Sequence, residues 1–118
     1  MTVAIALSLK LTLPFPPGVN NLYFNIGRKR AISDRYNKWR KEAAATLWTA
    51  KVIRFSGPVN IVVTVRDKGS YDPDGKLKAV LDFLVTHRII VDDDRAIVRS
   101  VTARVGDVEA CEVEITSA

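Results

Sequence analysis

The chain has 118 residues, of which 47% are hydrophobic and 26% charged, a composition typical of one folded domain covering residues 1–118. A single cysteine excludes a framework of intramolecular disulfides and a zinc site built from cysteines. The apolar stretches are too short to span a bilayer, and the first residues lack the charged segment of a signal peptide. We therefore expect a cytoplasmic protein that makes no contact with a membrane.

The charge is distributed unevenly along the chain. Residues 1–66 hold 11 basic and two acidic side chains, whereas residues 67–118 hold seven basic and 11 acidic ones. The formal net charge of +5 favours an anionic partner such as nucleic acid. A charge run is also often only a solvated helix face, and that reading stays open for the basic segment at 28–41.

The first half of the chain predicts a strand, a small hairpin and a helix. Residues 3–13 alternate between apolar and polar or small side chains, which predicts a strand that ends before the prolines at 14, 16 and 17. A small hairpin is expected around residues 25–27. Ser33 is then a candidate N-cap for a helix of about five turns. The apolar stripe of that helix consists of Tyr36, Trp39, Ala43, Leu47 and Ala50.

The second half predicts a strand over residues 59–65, a helix with Asp72 as N-cap, and two strands at about 97–105 and 108–115. Gly106-Asp107 suits a two-residue hairpin turn that would pair the last two strands. The element order predicts an α+β fold, a mixed sheet of about four main strands with two helices packed on one face.

Acidic side chains at two places could form a site for a metal ion. Asp72 and Asp74 open the second helix, and Lys78, four residues after Asp74, is expected on the same side. A run of three aspartates, 92–94, follows the same helix. If the chain brings this run back to the start of the helix, the carboxylates lie close together and repel each other. A hard cation such as Mg²⁺, with Mn²⁺ as a substitute, would then compensate their charge.

Such a site beside a basic surface suits phosphodiester hydrolysis, with Lys78 stabilising charge on the phosphoryl group. The plain structural alternative is that Asp-Pro-Asp-Gly is only a turn and helix start, and the aspartate run only a solvated loop. Asp82, one turn beyond Lys78, is read as an ion-pair partner rather than a ligand.

Three blocks of the sequence resemble the motifs of the RusA family of Holliday junction resolvases, in the family's order. Residues 13–23, Leu-Pro-Phe-Pro-Pro followed by Asn-Asn-Leu-Tyr, resemble the family's N-terminal signature. Residues 72–82 resemble its D-x-D-N-x-x-K-x-x-x-D helix, with Gly75 where the family usually has Asn. Residues 91–97 resemble its D-D-x-x-[VI] segment.

This resemblance implies a homodimeric, Mg²⁺-dependent endonuclease that nicks symmetric strands of a four-way junction in DNA recombination and repair, in a bacterial nucleoid or encoded by a phage. Asp72 and Asp74 would be metal ligands and Lys78 the catalytic lysine. The third ligand would be Asp94 in the register that preserves the following apolar residues, and Asp93 in the ungapped register. No organic cofactor is implied.

The candidate contacts to branched DNA lie mainly in the front half: Phe15, Arg28, Lys29, Arg30, Arg35, Lys38 and Lys76. Phe15, between prolines, is either a wedge that unstacks bases or a plug at the end of the sheet. Trp39 belongs to the core. Trp48 lies off the helix stripe and is either a dimer contact or a nucleic-acid contact.

His87 is expected to be a cation at the end of the second helix, and Cys111 a small core residue. Two rival functions stay open. One is a nuclease of this fold that acts on other branched DNA, and the other is a DNA-binding protein without catalysis.

Overall fold

The computed structural model describes residues 7–118, and Val3 and Ile5 of the expected first strand lie outside the described residues. The α+β prediction is confirmed. The strands are β1 (Ser8–Leu13), β2 (Tyr23–Ile26), β3 (Lys29–Ile32), β4 (Val59–Arg66), β5 (Val98–Gly106) and β6 (Cys111–Ser117). The α-helices are α1 (Asp34–Thr46) and α2 (Leu77–Thr86), and short 3-10 segments span Val19–Asn21 and Pro73–Lys76.

The main sheet has the order β1-β6-β4-β5, and β2 and β3 form a separate hairpin. β6 is antiparallel to both of its neighbours, whereas β4 and β5 are parallel, so the sheet is mixed as expected. A parallel pair requires a crossover, and α2 with its flanking loops provides it.

The predicted Gly106-Asp107 hairpin is wrong, because β4 lies between β5 and β6. The connection crosses the end of β4, where the backbone N–H of Arg66 donates to the carbonyl of Ala110 over 3.0 Å. The order follows burial: β6 carries fully buried Cys111, Val113 and Ile115, and takes a central place. β5 is mostly exposed and takes the edge.

One face of the sheet and both helices enclose the hydrophobic core, which confirms the predicted packing of the helices. Alternate residues of β1, β4 and β6 point into this core, as the period of two requires. The two helices meet where the Trp39 ring packs edge-to-face on Phe83, with ring centroids 5.8 Å apart.

Helix α1 begins as predicted and ends early. The Ser33 hydroxyl accepts a hydrogen bond from the backbone N–H of Tyr36 over 3.1 Å, which makes Ser33 the N-cap. The helix ends at Thr46, whose hydroxyl donates to the carbonyl of Ala43 and so competes with the helical hydrogen bonds. Leu47 and Ala50 still pack against the core from the following turns.

The second helix starts differently from the prediction. Residues Pro73–Lys76 form a 3-10 segment, and the α-helical residues begin at Leu77. The side chain of Asp72 makes no capping hydrogen bond, and its carbonyl accepts instead from the N–H of Gly75 over 3.1 Å. The Asp72 carboxylate is therefore left unused by the fold.

No helix within residues 7–118 is long and apolar enough to cross a membrane.

Candidate functional site

The carboxylates of Asp72 and Asp74 line one concavity, between the loop at 18–21 and the segment at 70–76. Both side chains are exposed, and within residues 7–118 neither takes part in a side-chain hydrogen bond or an ion pair. Asn20 and Asn21 line the same concavity. The two acids thus line one concavity, and their carboxylates form no hydrogen bond or ion pair that would stabilise the described fold.

The opposite wall of this concavity is held in place by two hydrogen bonds from the region of α1. The indole N–H of Trp39 donates to the carbonyl of Pro14 over 2.9 Å, and the Ser33 hydroxyl donates to the carbonyl of Asn21 over 2.6 Å. The Asn21 N–H in turn donates to the Gly18 carbonyl over 2.9 Å. The loop that faces the acids is therefore fixed by the core.

Lys78 faces a separate groove, together with Asp82 and Asp93, rather than the concavity of Asp72 and Asp74. The expected i,i+4 alignment with Asp74 assumed a continuous α-helix. Because Asp74 lies in the 3-10 segment, each residue there turns the chain by about 120° instead of about 100°, which rotates Asp74 away from Lys78.

Lys78 is paired in this groove. Its ammonium donates to Asp82 Oδ1 over 3.0 Å, as the reading of Asp82 as an ion-pair partner predicted. That hydrogen bond is the main reason why the pKa of Lys78 is raised above its usual value, and the charge of Asp93 contributes in the same direction. Lys78 is therefore a cation that persists to high pH.

The three aspartates of the following loop differ in their contacts. Asp94 Oδ1 accepts hydrogen bonds from the N–H groups of Ala96 and Ile97, at 3.1 and 3.2 Å, and Asp92 Oδ1 accepts from the N–H of Asp93 at 2.7 Å. The Asp93 carboxylate faces the groove of Lys78. Asp94, the third ligand expected from the preferred register, thus caps its own loop.

No three or more acidic, histidine or cysteine side chains within residues 7–118 lie close enough to form a metal cluster. The structure brings Asp72 to Asp74, and Asp93 to Lys78, in two separate depressions. This arrangement fits a hard cation held by two carboxylates, since Mg²⁺ is commonly bound by one or two carboxylates with waters and substrate phosphates. It does not form a closed site of three carboxylates.

The basic candidates fall into two exposed groups. Arg28 lies in the turn between β2 and β3, and Lys29 and Arg30 are on β3, with the Arg30 guanidinium 4.2 Å from the centroid of the Tyr23 ring. Arg35 and Lys38 are exposed on the first turns of α1, where Lys38 forms an i,i+4 ion pair with Glu42 at 3.9 Å. These side chains are accessible to a polyanion.

Phe15 and Lys76 are packed instead of projecting into solvent. The partly buried Phe15 ring packs against the core and lies edge-on to Tyr71, with centroids 5.2 Å apart. The Arg66 guanidinium lies 4.0 Å and the Lys76 ammonium 4.5 Å from the centroid of that ring. These contacts match the reading of Phe15 as a plug.

Sequence reasoning missed Arg66 and Tyr71 in this cluster. Tyr71 directly precedes Asp72, and its hydroxyl donates to the carbonyl of Arg66, which ends β4. Their position beside the first acid of the motif was the available signal. The cluster was not visible in the sequence because Phe15 joins it from about 50 residues away in the chain.

Burial shifts the pKa values of His87 and Cys111 in opposite directions. His87 caps the C-terminus of α2 with its ring 4.6 Å from that of Phe83, and burial together with Arg40 lowers its pKa. The lowered pKa disfavours the charged form that the sequence predicted for this position at the end of the helix. Cys111 is fully buried, as predicted, which raises the pKa of its thiol to about 12.

Comparison with known proteins gives one informative similarity. No protein-family profile matches the chain. The chain is similar to a protein of Enterobacteria phage HK97 named crossover junction endodeoxyribonuclease rusA, with 28% identity over 89 residues. The aligned part covers 73% of this chain and 74% of the phage protein. This similarity supports the resemblance that the three motifs indicate.

Proposed function

We propose that this chain is a metal-dependent endodeoxyribonuclease that resolves four-way DNA junctions by paired, symmetric nicks during recombination and repair. The observation that carries the proposal is the shared concavity of Asp72 and Asp74, whose carboxylates have no structural task. The similarity to the phage crossover junction endodeoxyribonuclease supplies the class of substrate.

In this proposal Asp72 and Asp74 hold Mg²⁺, for which Mn²⁺ can substitute. When bound, the ion lowers the pKa of an attacking water and neutralises charge on the phosphoryl oxygens. Of the aspartates at 92–94, we favour Asp93 as the third functional acid. It shares a groove with Lys78, whereas the carboxylate of Asp94 accepts two backbone hydrogen bonds.

Lys78 supplies positive charge to the phosphodiester. Its pairing with Asp82 orients the ammonium and keeps it protonated, so two of its protons remain available for phosphate oxygens. A fixed cation of this kind stabilises the additional negative charge of the transition state. The exposed Arg28, Lys29, Arg30, Arg35 and Lys38 bind the backbone of the junction arms through charge and therefore with strong salt dependence.

We further propose that the enzyme acts as a homodimer, because two copies related by a two-fold axis match a junction of the same symmetry. Two apolar patches support this. Trp48, after α1, is 86% exposed, and Val101 and Val105 lie exposed on the edge strand β5. Light scattering should give the mass of a dimer for the wild-type protein. One of the variants Val105→Lys and Trp48→Ser, the one that changes the patch in the interface, should give the mass of a monomer. A monomeric wild type at working concentration overturns this part.

The activity is tested with a labelled synthetic four-way junction and a linear duplex of the same sequence, with Mg²⁺ and with EDTA. We expect paired, ligatable nicks confined to the junction in Mg²⁺ and no cleavage in EDTA. Asp74→Asn should lower the cleavage rate about 100-fold or more while junction binding in EDTA persists. Glu114→Gln, an exposed acid on the outer face of β6, is the matched control and should cleave normally.

The outcomes separate the rival functions. Cleavage of flaps or forks with an intact four-way junction identifies a nuclease for other branched DNA. Salt-dependent binding without cleavage in Mg²⁺ or Mn²⁺ identifies a binding protein and overturns the proposal.

A further inference from the structure

A cleft of about 330 Å³ lies between the proline loop and helix α1. The loop contributes Phe15, Pro17 and Gly18 to its wall, and α1 contributes Arg35 and Trp39. Lys76, from the 3-10 segment, also lines the cleft. The cleft is lined by cations and by rings, and the two acids at 72 and 74 belong to the neighbouring concavity.

Lys76 is buried without an ionic partner. It is only 8% exposed, and within residues 7–118 no carboxylate lies within ion-pair distance of its ammonium. The ammonium lies 4.5 Å from the ring centroid of Phe15 and 5.3 Å from that of Tyr71. Ring faces attract a cation, but they do not neutralise its charge.

A second cationic group, that of the half-buried Arg66, faces the same ring. The guanidinium of Arg66 lies 4.0 Å from the Phe15 centroid, and its Nε is buried without a hydrogen-bond partner in the described part of the chain. Buried donors are almost always paired, so the unpaired Arg66 Nε–H beside the largely buried Lys76 side chain calls for a specific explanation. Two like charges around one ring destabilise the fold unless an anion compensates them.

The one acid that the described residues contribute to the wall of the cleft does not compensate them. Glu42 forms an ion pair with Lys38 on the surface of α1, 3.9 Å apart. Arg35 has no ion pair among the residues from 7 onward. The charge that remains uncompensated in the cleft is therefore that of Arg35 and Lys76, with Arg66 behind the Phe15 ring.

We propose that this cleft is a binding pocket for a phosphate group of the nucleic-acid backbone, held by Lys76 and Arg35 with Arg66 as a supporting charge. This inference rests on the proposed function for the identity of the ligand. The phosphate pocket is separate from the carboxylate concavity, but the two share Gly18, Asn21 and Lys76 as a common wall. A strand anchored by one phosphate here is presented to Asp72 and Asp74 next to it.

In this arrangement Phe15 positions the cations and forms the floor of the phosphate pocket, rather than acting as a free wedge. A packed ring that holds two cations limits their motion before the ligand arrives, which lowers the ordering cost of binding. The fold stability given up by unpaired charges is recovered when the phosphate binds.

The test compares wild type with Lys76→Met, which keeps the length of the side chain and removes its charge. The melting temperature is measured in sodium phosphate and in sodium chloride of equal ionic strength, and four-way junction binding is measured in EDTA. We expect phosphate to raise the melting temperature of wild type and not of Lys76→Met. We also expect Lys76→Met to weaken junction binding about tenfold or more, with unchanged or higher stability in chloride.

Three further variants control the comparison. Lys76→Arg should retain the phosphate effect because it retains the charge. Lys51→Met removes an exposed lysine outside the phosphate pocket and should behave as wild type. Arg35→Gln, on the exposed face of α1, should weaken both effects and keeps the test decisive if Lys76→Met does not fold.

Three results overturn the proposal. Equal stabilisation of wild type and Lys76→Met by phosphate, or a loss of stability in chloride with full junction affinity, assigns Lys76 a structural role. A phosphate effect without any change in junction affinity assigns the phosphate pocket to free phosphate and removes the nucleic acid as its ligand. If wild type cleaves no junction but shows both Lys76-dependent effects, the nuclease proposal fails and the phosphate pocket stands.

Discussion

A β-carbon added to Gly106 of β5 would stand 2.7 Å from the side-chain methyl group of Thr64 on β4, although the register pairs Gly106 with Arg66. Thr64 is buried, and its hydroxyl accepts a hydrogen bond from the Arg104 Nε over 2.8 Å, so its side chain is not free to turn away. Position 106 therefore requires glycine, because the methyl group of Thr64 occupies the space that a β-carbon would need.

Gly106→Ala should therefore destabilise the protein by about 1–3 kcal/mol, because the strands must move apart or Thr64 must leave its rotamer. Urea denaturation measures the effect. Gly75→Ala is the matched control. Its β-carbon would meet nothing within 4 Å, and it should raise the free energy of unfolding by about 0.4–1 kcal/mol. Equal responses of the two variants would contradict the steric argument.

Asp82→Asn should shift the alkaline limb of the cleavage pH profile to lower pH. The hydrogen bond from Lys78 to Asp82 raises the pKa of the lysine, so removing the carboxylate lets the ammonium lose its proton at lower pH. The measurement is the single-turnover rate against pH in Mg²⁺. Glu42→Gln breaks the comparable i,i+4 pair with Lys38 and should leave the limb in place. An unmoved limb in Asp82→Asn would exclude protonated Lys78 from the reaction.

The basic hairpin should account for part of the salt dependence of junction binding. Replacing Arg28, Lys29 and Arg30 together by Gln removes up to three phosphate contacts, each worth about 0.9 in the slope of log K against log salt. We expect the slope to fall by about 1–3 in EDTA titrations. Lys10→Gln, whose lysine pairs with Glu112, should keep the wild-type slope. The same slope in the triple variant would place the hairpin outside the interface.

Stability should fall as pH rises from about 8.5 toward 12, since burial raises the pKa of the Cys111 thiol to about 12. In this range the unfolded thiol has lost its proton and the folded thiol retains it. The unfolded state thus binds fewer protons, and the free energy of unfolding decreases by up to about 1.4 kcal/mol per pH unit. Urea denaturation between pH 7.5 and 9.5 should show this decrease in wild type and a flatter profile in Cys111→Val. Parallel pH profiles of the two proteins would contradict the prediction.

The measurements stop at pH 9.5 so that they precede the titration of Tyr36, whose pKa is raised mainly by burial to about 12.

The local part of the fold was predictable from the sequence, because it depends on neighbouring residues. The Ser33 cap, the alternation in β4 and the small hairpin each follow from a few adjacent positions. The place of β6 was not predictable in the same way. A glycine and an aspartate between two strands favour a hairpin locally, and the greater burial of β6 prevails over that preference.

In the candidate site, too, the contacts between residues near in sequence were predictable and the contacts between distant residues were not. Asp72 and Asp74 are near each other in sequence and share a concavity, whereas the aspartates at 92–94 reach their neighbours only through the tertiary path of the chain. The alignment of Asp74 with Lys78 failed because proline at 73 and glycine at 75 lie in a 3-10 segment, while the prediction assumed α-helical spacing. The cations around Phe15 required three distant segments to be placed together.

The central position of β6 has a consequence for how the chain matures on the ribosome. Among residues 7–118, β1 pairs in the main sheet with β6 alone, with Ser8 opposite Thr116. The first described strand therefore cannot form its hydrogen bonds until the last described strand has been synthesised. Until the residues of β6 leave the exit tunnel, β1 has no hydrogen-bonded neighbour and β4 lacks one of its two. The core that fixes the loop facing the acids is completed at the same step. The basic front half of the chain is therefore synthesised well before the residues that complete its folded geometry.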